Sequence, residues 1–259
     1  LAYSLYSWNG ISAMRYIGFD NYVKLFTRDD IFREALRNNL VYVCMSVSMK
    51  VVAGMVLAVL LTYVRFGKEM YKTLFFVPAI LSSVVLSQLF TRIYATEPVG
   101  ILNGFFRILH LEMLEQAWLS DKSIVLFSIA LVDAFKYTGI YMVIYYTALI
   151  PIPDELIESA NLDGANAVQQ FFYLKMPLIK GVFIASLIML LSGTLKEFDL
   201  PYLLTGGGPG HASEMVTTHM YKTAFSTMQY GYGSALAFFI VIECLLIVGA
   251  FRKILLTKE

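Results

Sequence analysis

The chain has 259 residues, of which 58% are hydrophobic and 15% charged, with a net charge of +1 and a mean hydropathy of +0.66. A water-soluble domain of this length carries roughly 25% charge, so disorder and a single ordinary core are excluded. The near-zero charge balance removes nucleic acid as a partner, and two cysteines, Cys44 and Cys244, cannot make a disulfide framework.

The segment Leu1 to Trp8 is apolar and aromatic and reads as the interfacial end of a helix, part of a first membrane span whose start precedes the sequence. Five complete runs then reach the ~20 residues needed to cross a bilayer: Leu40–Val64, Thr73–Tyr94, Ser123–Ile150, Leu178–Leu195 and Ser234–Phe251. The fold class expected is all-α, a polytopic transmembrane helical bundle with five full spans visible and about six in the intact protein. It is read as a single transmembrane domain over residues 1–259. Lengths near 20, without strict alternation, favour helices over barrel strands. Gly54, Pro78, Gly139 and Gly193 lie inside these runs, where membrane helices tolerate them. Between the second and third spans, Gly100 to Leu114 has the spacing of a short amphipathic helix. The densest short clusters of positive charge, Arg65–Lys72 and Arg252–Glu259, place those segments on the inner side.

The longest polar stretch on that side runs from Pro151 to Pro177. Asp154 is positioned to cap a helix, Gly164 to break it, and Asp163 to cap a second helix that ends before Pro177. Asp154, Glu155, Glu158 and Asp163 give this helix–turn–helix a negative, partly apolar surface. Glu158-Ser159-Ala160, three residues, Gly164, and a hydrophobic stretch closing on Leu174-Lys175-Met176-Pro177 resemble the EAA loop of ABC importer permeases. Ser159, Leu174 and Met176 depart mildly from that family's pattern. Gly18-Phe19-Asp20-Asn21-Tyr22, Phe75-Phe76-Val77-Pro78, Trp118-Leu119-Ser120-Asp121 and Leu204-Thr205-Gly206-Gly207-Gly208-Pro209 are similar to the carbohydrate-permease branch, the relatives of maltose and multiple-sugar permeases.

The resemblance implies a transport subunit in the bacterial inner membrane, multi-pass, that forms the pathway of a binding-protein-dependent sugar importer. It implies a second homologous permease, two cytoplasmic ABC ATPase subunits that bind ATP and Mg, an extracellular solute-binding protein and a carbohydrate substrate, with lipid around the chain. Glu158, Ser159, Ala160, Asp163, Gly164 and Pro177 would then couple the chain to the ATPase. Gly206, Gly207, Gly208 and Pro209 would lie near the docking site of the binding protein; the stretch reads as a tight, mobile outer loop. It lacks the Gly-Lys-Ser/Thr ending of a phosphate-binding loop, so the chain itself is expected to hold no nucleotide.

Ionisable residues inside spans are candidates for the substrate pathway: Asp133, Lys136 and Glu243, with the neighbouring Tyr137 and Tyr141. Asp133 and Lys136 share a helix face and could instead pair locally, while Glu243 must pair across helices, with Lys50 available, be protonated, or face an aqueous pathway. Tyr rings can stack on sugar faces or simply pack. No zinc, nucleophile-elbow or Walker motif occurs, so neither a catalytic residue nor a metal site is expected and the chain is not an enzyme. The rival reading from these residues is an autonomous secondary transporter or channel using Asp133 and Glu243.

Overall fold

The computed structural model describes residues 1–256, with side chains to residue 253; Lys258, counted above in the inner tail, lies outside the described residues. Residues 1–16 do not form the end of a helix. A 3-10 turn at Ala2–Leu5 leads into two short strands, β1 (Tyr6–Ser7) and β2 (Arg15–Tyr16), paired antiparallel with Tyr6 opposite Tyr16. Asn21, on the following helix α1 (Asp20–Thr27), holds this segment through Nδ2 bonds to the carbonyls of Ser4 (2.7 Å) and Tyr6 (3.1 Å).

The first run belongs to a longer helix than its apolar stretch indicates. Helix α2 (Asp30–Tyr63) starts where the Asp29 carboxylate accepts the Phe32 N–H at 2.9 Å, and it has no interior proline. The third and fifth runs are likewise continuous, as α6 (Val125–Leu149) and α13 (Tyr230–Leu256). These three helices are each long and apolar enough to cross a membrane. The second and fourth runs are bent. Helices α3 (Lys68–Ile80) and α4 (Ser83–Ile93) meet at 97°, so Thr73–Tyr94 is not one straight span. Pro78 withholds an N–H from the last turn of α3, and the Ser82 hydroxyl accepts the Val85 N–H at 3.4 Å, starting a new helix after an extended Leu81. Helix α5 (Ile101–Ile108) is the short amphipathic piece expected between the second and third runs.

After α6 come α7 (Asp154–Leu162), α8 (Ala167–Gln170), a π-helical turn at Phe171–Lys175 and α9 (Met176–Leu178). A 79° bend at Ile179 then leads into α10 (Lys180–Thr194), which carries the fourth run in 15 residues. The short helices α11 (Asp199–Thr205) and α12 (Val216–Tyr221) cover the other end.

Helix α6 is the centre of the bundle and packs most extensively on α2. Two glycines set its distances. A Cβ at Gly54 would lie 3.1 Å from the Tyr141 Cβ, and one at Gly139 would lie 1.9 Å from the Phe75 carbonyl oxygen. The backbones of α3 and α6 therefore touch at Gly139, where no larger residue fits. One apolar cluster joins Tyr42, Phe90, Tyr94 and Ile129 to Leu200, and a second joins Met55, Ala58 and Leu61 to Met142, Tyr145, Leu149 and Ile179. Outward-facing residues of the same helices stay apolar: Val52 is 61% exposed, Ile80 72% and Leu245 68%. A surface of this kind suits lipid or another apolar chain, and not water.

Candidate functional site

The polar stretch between α6 and α10 folds as a sharp elbow. Pro153 precedes the first helical residue, so Asp154 sits inside the first turn of α7 and caps nothing with its side chain; Asp154 and Glu155 oppose the positive end of the helix instead. Helix α7 stops at Gly164, whose φ of +78° places it in the left-handed region. The Gly164 N–H donates to the Asn161 carbonyl (3.0 Å) and the Ala165 N–H to that of Ala160 (2.9 Å), a complete Schellman ending. No atom would contact a Cβ at Gly164, so backbone conformation, not space, requires glycine here.

Asn166, not Asp163, caps the next helix. Its Oδ1 accepts the Gln169 N–H at 2.9 Å while the Gln169 side chain accepts the Asn166 N–H at 2.8 Å. Gln170 ties the two arms together through Nε2 bonds to Asn161 Oδ1 (2.6 Å) and the Ala165 carbonyl (2.9 Å). Pro177 does not end the segment: it lies in the first turn of α9, and helical backbone continues to Leu178. Among the expected coupling residues, Glu158, Ser159, Asp163, Gly164 and Pro177 are exposed and Ala160 is half-buried. The Ser159 hydroxyl donates to the Glu155 carbonyl at 2.8 Å. Glu158 enters no ion pair among the described residues. Around it Leu162 (90% exposed) and Tyr173 (82%) form a projecting surface with nothing covering it.

The pathway candidates divide differently from the local pairing the sequence allows. Asp133 is fully buried and pairs across helices with Lys50 of α2, Oδ2 to Nζ 2.7 Å; Ser46 donates to the same oxygen. Lys50 also donates to Thr194 Oγ1 of α10 at 2.9 Å, so one ion pair joins α2, α6 and α10. Lys136 turns away from Asp133 and donates to Ser83 Oγ (2.6 Å), and Ser83 in turn donates to Asp199 (3.2 Å) at the α3–α4 bend. Tyr137 lies between the two cations, its ring centroid 5.7 Å from Lys50 Nζ and 5.0 Å from Lys136 Nζ. Asp133, Lys136 and Tyr137 thus share one locality, while Tyr141 packs one turn further along against Gly54.

Glu243 does not meet Lys50. Its Oε1 accepts a long bond from Asn39 Nδ2 (3.5 Å), and its Oε2 is buried without a partner. Nothing in the sequence singles out Ser46 or Thr194, and Ser83 stands out only for its small-residue spacing with Ser87. Their signal is a hydroxyl inside an apolar run, which single-chain periodicity does not distinguish from ordinary helix packing.

The glycine-rich loop at the opposite end is pinned, where a mobile loop was expected. Gly206 ends α11 at a φ of +57°, and a Cβ at Gly207 would lie 2.4 Å from Glu214 Oε2. Glu214 is buried and accepts Lys222 Nζ (2.6 Å) and Thr218 Oγ1 (2.6 Å), and Lys222 also donates to the Gly206 carbonyl (2.6 Å). Gly206, Gly208 and Pro209 remain half-exposed beside this anchor. At the same end, Asp29 binds His219 Nε2 (2.8 Å) and accepts the Tyr232 hydroxyl. Burial raises the Asp29 carboxyl, but the bonds from Tyr232, His219 and the Phe32 N–H outweigh it and hold the group below the usual carboxylate range. No cluster of metal-ligating side chains occurs among the described residues.

Residues 39–257 match the family described as binding-protein-dependent transport system inner membrane component. A protein of Bacillus subtilis described as a probable ABC transporter permease, YurN, is 39% identical over 242 residues, 92% of this chain and 82% of that protein. AmyD of Thermoanaerobacterium thermosulfurigenes, described as a probable permease protein of a transport system for starch degradation products, is 32% identical over 91% of this chain and 78% of its own length. Among solved structures, a bacterial ABC transporter involved in alginate import shares the fold, with a TM-score of 0.82 at 22% identity, covering 93% of this chain and 84% of that one.

Proposed function

The chain belongs to the family of inner membrane components of binding-protein-dependent transport systems, as an ABC importer permease, and on that premise we propose that it forms half of the pathway of an ATP-driven carbohydrate importer in the bacterial inner membrane. The observation that carries the coupling role is the elbow at Gly164, which projects an unpaired Glu158 beside exposed Leu162. A carboxylate on a rigid helix offers a directional anchor to a basic residue of a separate ATPase, through a charge-assisted bond. ATP and Mg would be held by two such ATPase subunits. Closure of that pair on ATP would move the elbow, and the differential binding of ATP to the two states would supply the energy of switching.

A second, homologous permease would complete the pathway, and an external binding protein would deliver substrate near Gly206–Pro209. The carbohydrate class is supported by the relative whose described substrates are starch degradation products. A related solved structure is described as an alginate transporter in complex with an alginate-bound periplasmic protein. Lys136, Tyr137 and Asp199 offer hydroxyl-binding groups and a ring face to a sugar at the α3–α4 bend. Tyr141 and the buried Glu243 lie apart from that bend and supply packing and a polar interhelical contact. The single extended domain over residues 1–259 belongs to the same proposal.

The deciding measurement is ATPase stimulation of the assembled transporter by its binding protein loaded from a panel of sugars. Stimulation by at least one carbohydrate is expected. Silence with every carbohydrate, alongside stimulation by a non-carbohydrate solute, overturns the substrate class.

A further inference from the structure

A cavity of about 750 Å³ lies behind the elbow, between α7–α8 and the adjoining ends of α2, α3 and α6. Its lining includes the apolar Leu149, Ile150 and Ile157. It also includes two lysines, Lys68 at the start of α3 and Lys175 at the end of the π-helical turn, together with Tyr63. Lys175 is 7% exposed, yet its one hydrogen bond is a long contact of 3.5 Å to Tyr63 Oη, with the Tyr63 ring centroid 5.3 Å from Nζ. Neither lysine enters a salt bridge among the described residues; the carboxylate nearest in chain to Lys68, Glu69, pairs with Lys72 instead. Among the described residues the charged groups lining the cavity are Lys68, Lys175 and Asp154, and the other titratable groups there are Tyr63 and Tyr146.

A buried ammonium is costly unless an anion accompanies it. Here two ammonium groups face one carboxylate, so the cavity is short of negative charge. The π turn is what aims Lys175 inward: one extra residue in the turn rotates the side chains that follow it, and such turns recur at binding sites. A lining that combines apolar side chains with two ammonium groups, at the end of a membrane bundle, matches a phosphate group attached to an apolar or glycerol body.

We propose that this cavity binds a phosphate-bearing anion, the headgroup of an anionic phospholipid or a soluble phosphate ester, held by Lys175 and Lys68. The ligand would neutralise Lys175 and brace α8 against the ends of α2 and α3. The site stands on its own geometry. Only the consequence, that lipid or phosphate ester adjusts the stance of the coupling elbow, rests on the function proposed above.

The test uses the purified full transporter and native mass spectrometry, with dioctanoyl-phosphatidylglycerol, dioctanoyl-phosphatidylcholine and glycerol 3-phosphate as separate probes. The wild type is expected to retain one phosphatidylglycerol per copy of this chain in preference to phosphatidylcholine. Lys175→Met should weaken retention about tenfold, the scale of one charge-assisted bond, and Lys175→Arg should restore it. Retention of phosphatidylglycerol alone identifies the lipid as the source; retention of glycerol 3-phosphate as well identifies the phosphate ester as sufficient. Binding of neither, or equal binding of all lipids that is indifferent to Lys175→Met, overturns the site. Should Lys175→Met fail to assemble, Lys68→Met decides the matter: weaker retention of phosphatidylglycerol supports the site and unchanged retention rejects it. Phosphatidylglycerol retained equally by wild type and Glu158→Arg separates this site from the coupling role, which that variant tests independently.

Discussion

The elbow at Gly164 and the ion pair at Lys50–Asp133 hold the same kinds of charge in opposite circumstances. Glu158 projects from α7 with no ion-pair partner among the described residues and with the apolar Leu162 left uncovered. Asp133 lies in the bundle with its cation at 2.7 Å and the Ser46 hydroxyl on the same oxygen, Lys50 reaching on to Thr194, while Asp133 Oδ1 is buried without a hydrogen bond among the described residues. An exposed carboxylate contributes little to its own fold and remains free to bind another molecule. A buried one has already found its counterion, and its worth lies in joining three helices. In the sequence the motif around Glu158 is the more specific signal, while Asp133 stands out only as charge inside an apolar run; in the structure Asp133 is committed to a buried cation and Glu158 is exposed.

The largest expected effect comes from breaking the buried pair. Lys50→Met leaves Asp133 uncompensated, at a cost of about 3–5 kcal/mol; the thermal midpoint of the assembled transporter should fall sharply. The double variant Lys50→Met, Asp133→Leu should recover most of the loss, and failure to recover would show that the pair does more than compensate itself. Glu158→Arg should weaken ATPase association by about 2–5 kcal/mol without unfolding the permease chain itself. Wild-type association and transport in this variant would remove Glu158 from the coupling role. Gly164→Ala forces a left-handed alanine, costing about 1–2 kcal/mol, and should reduce transport through the elbow angle rather than by loss of contact, since its Cβ meets no atom. Transport at the wild-type rate would show that the angle is not used.

The smallest effect concerns acid. Because Asp29 titrates below its unfolded value, its contribution is fully present above the ordinary carboxylate range and is lost as pH falls through the depressed folded value. Asp29→Asn should therefore be less stable than wild type at neutral pH and converge with it in acid. A constant difference across pH, measured by thermal unfolding, would assign the loss to packing.

The apolar runs were legible because a span is a property of one segment, and so was Gly164, whose turn is set by its immediate neighbours. Straightness was not legible. Thr73–Tyr94 reads as one span, but Ser82 captures the Val85 N–H and starts a second helix at 97°. Asp163 reads as the cap in sequence, and the reciprocal bonds between Asn166 and Gln169 move the cap three residues further on. The partners of Asp133, Lys136 and Glu243 come from helices far away in the chain, at distances that packing around Gly54 and Gly139 decides. Helical spacing correctly allowed Asp133 and Lys136 to meet, and tertiary contacts offered each something better.

The contact of Gly139 with the Phe75 carbonyl has a mechanical meaning for the elbow. One arm of the elbow runs into α6, which is clamped at backbone level by α2 and α3. The other runs through Ile179 into α10, joined by a 79° break instead of a continuous helix. The two arms therefore differ in stiffness. Load applied at α7 is borne rigidly on one side and turned into rotation on the other, as in a crank with a fixed bearing and a free pivot.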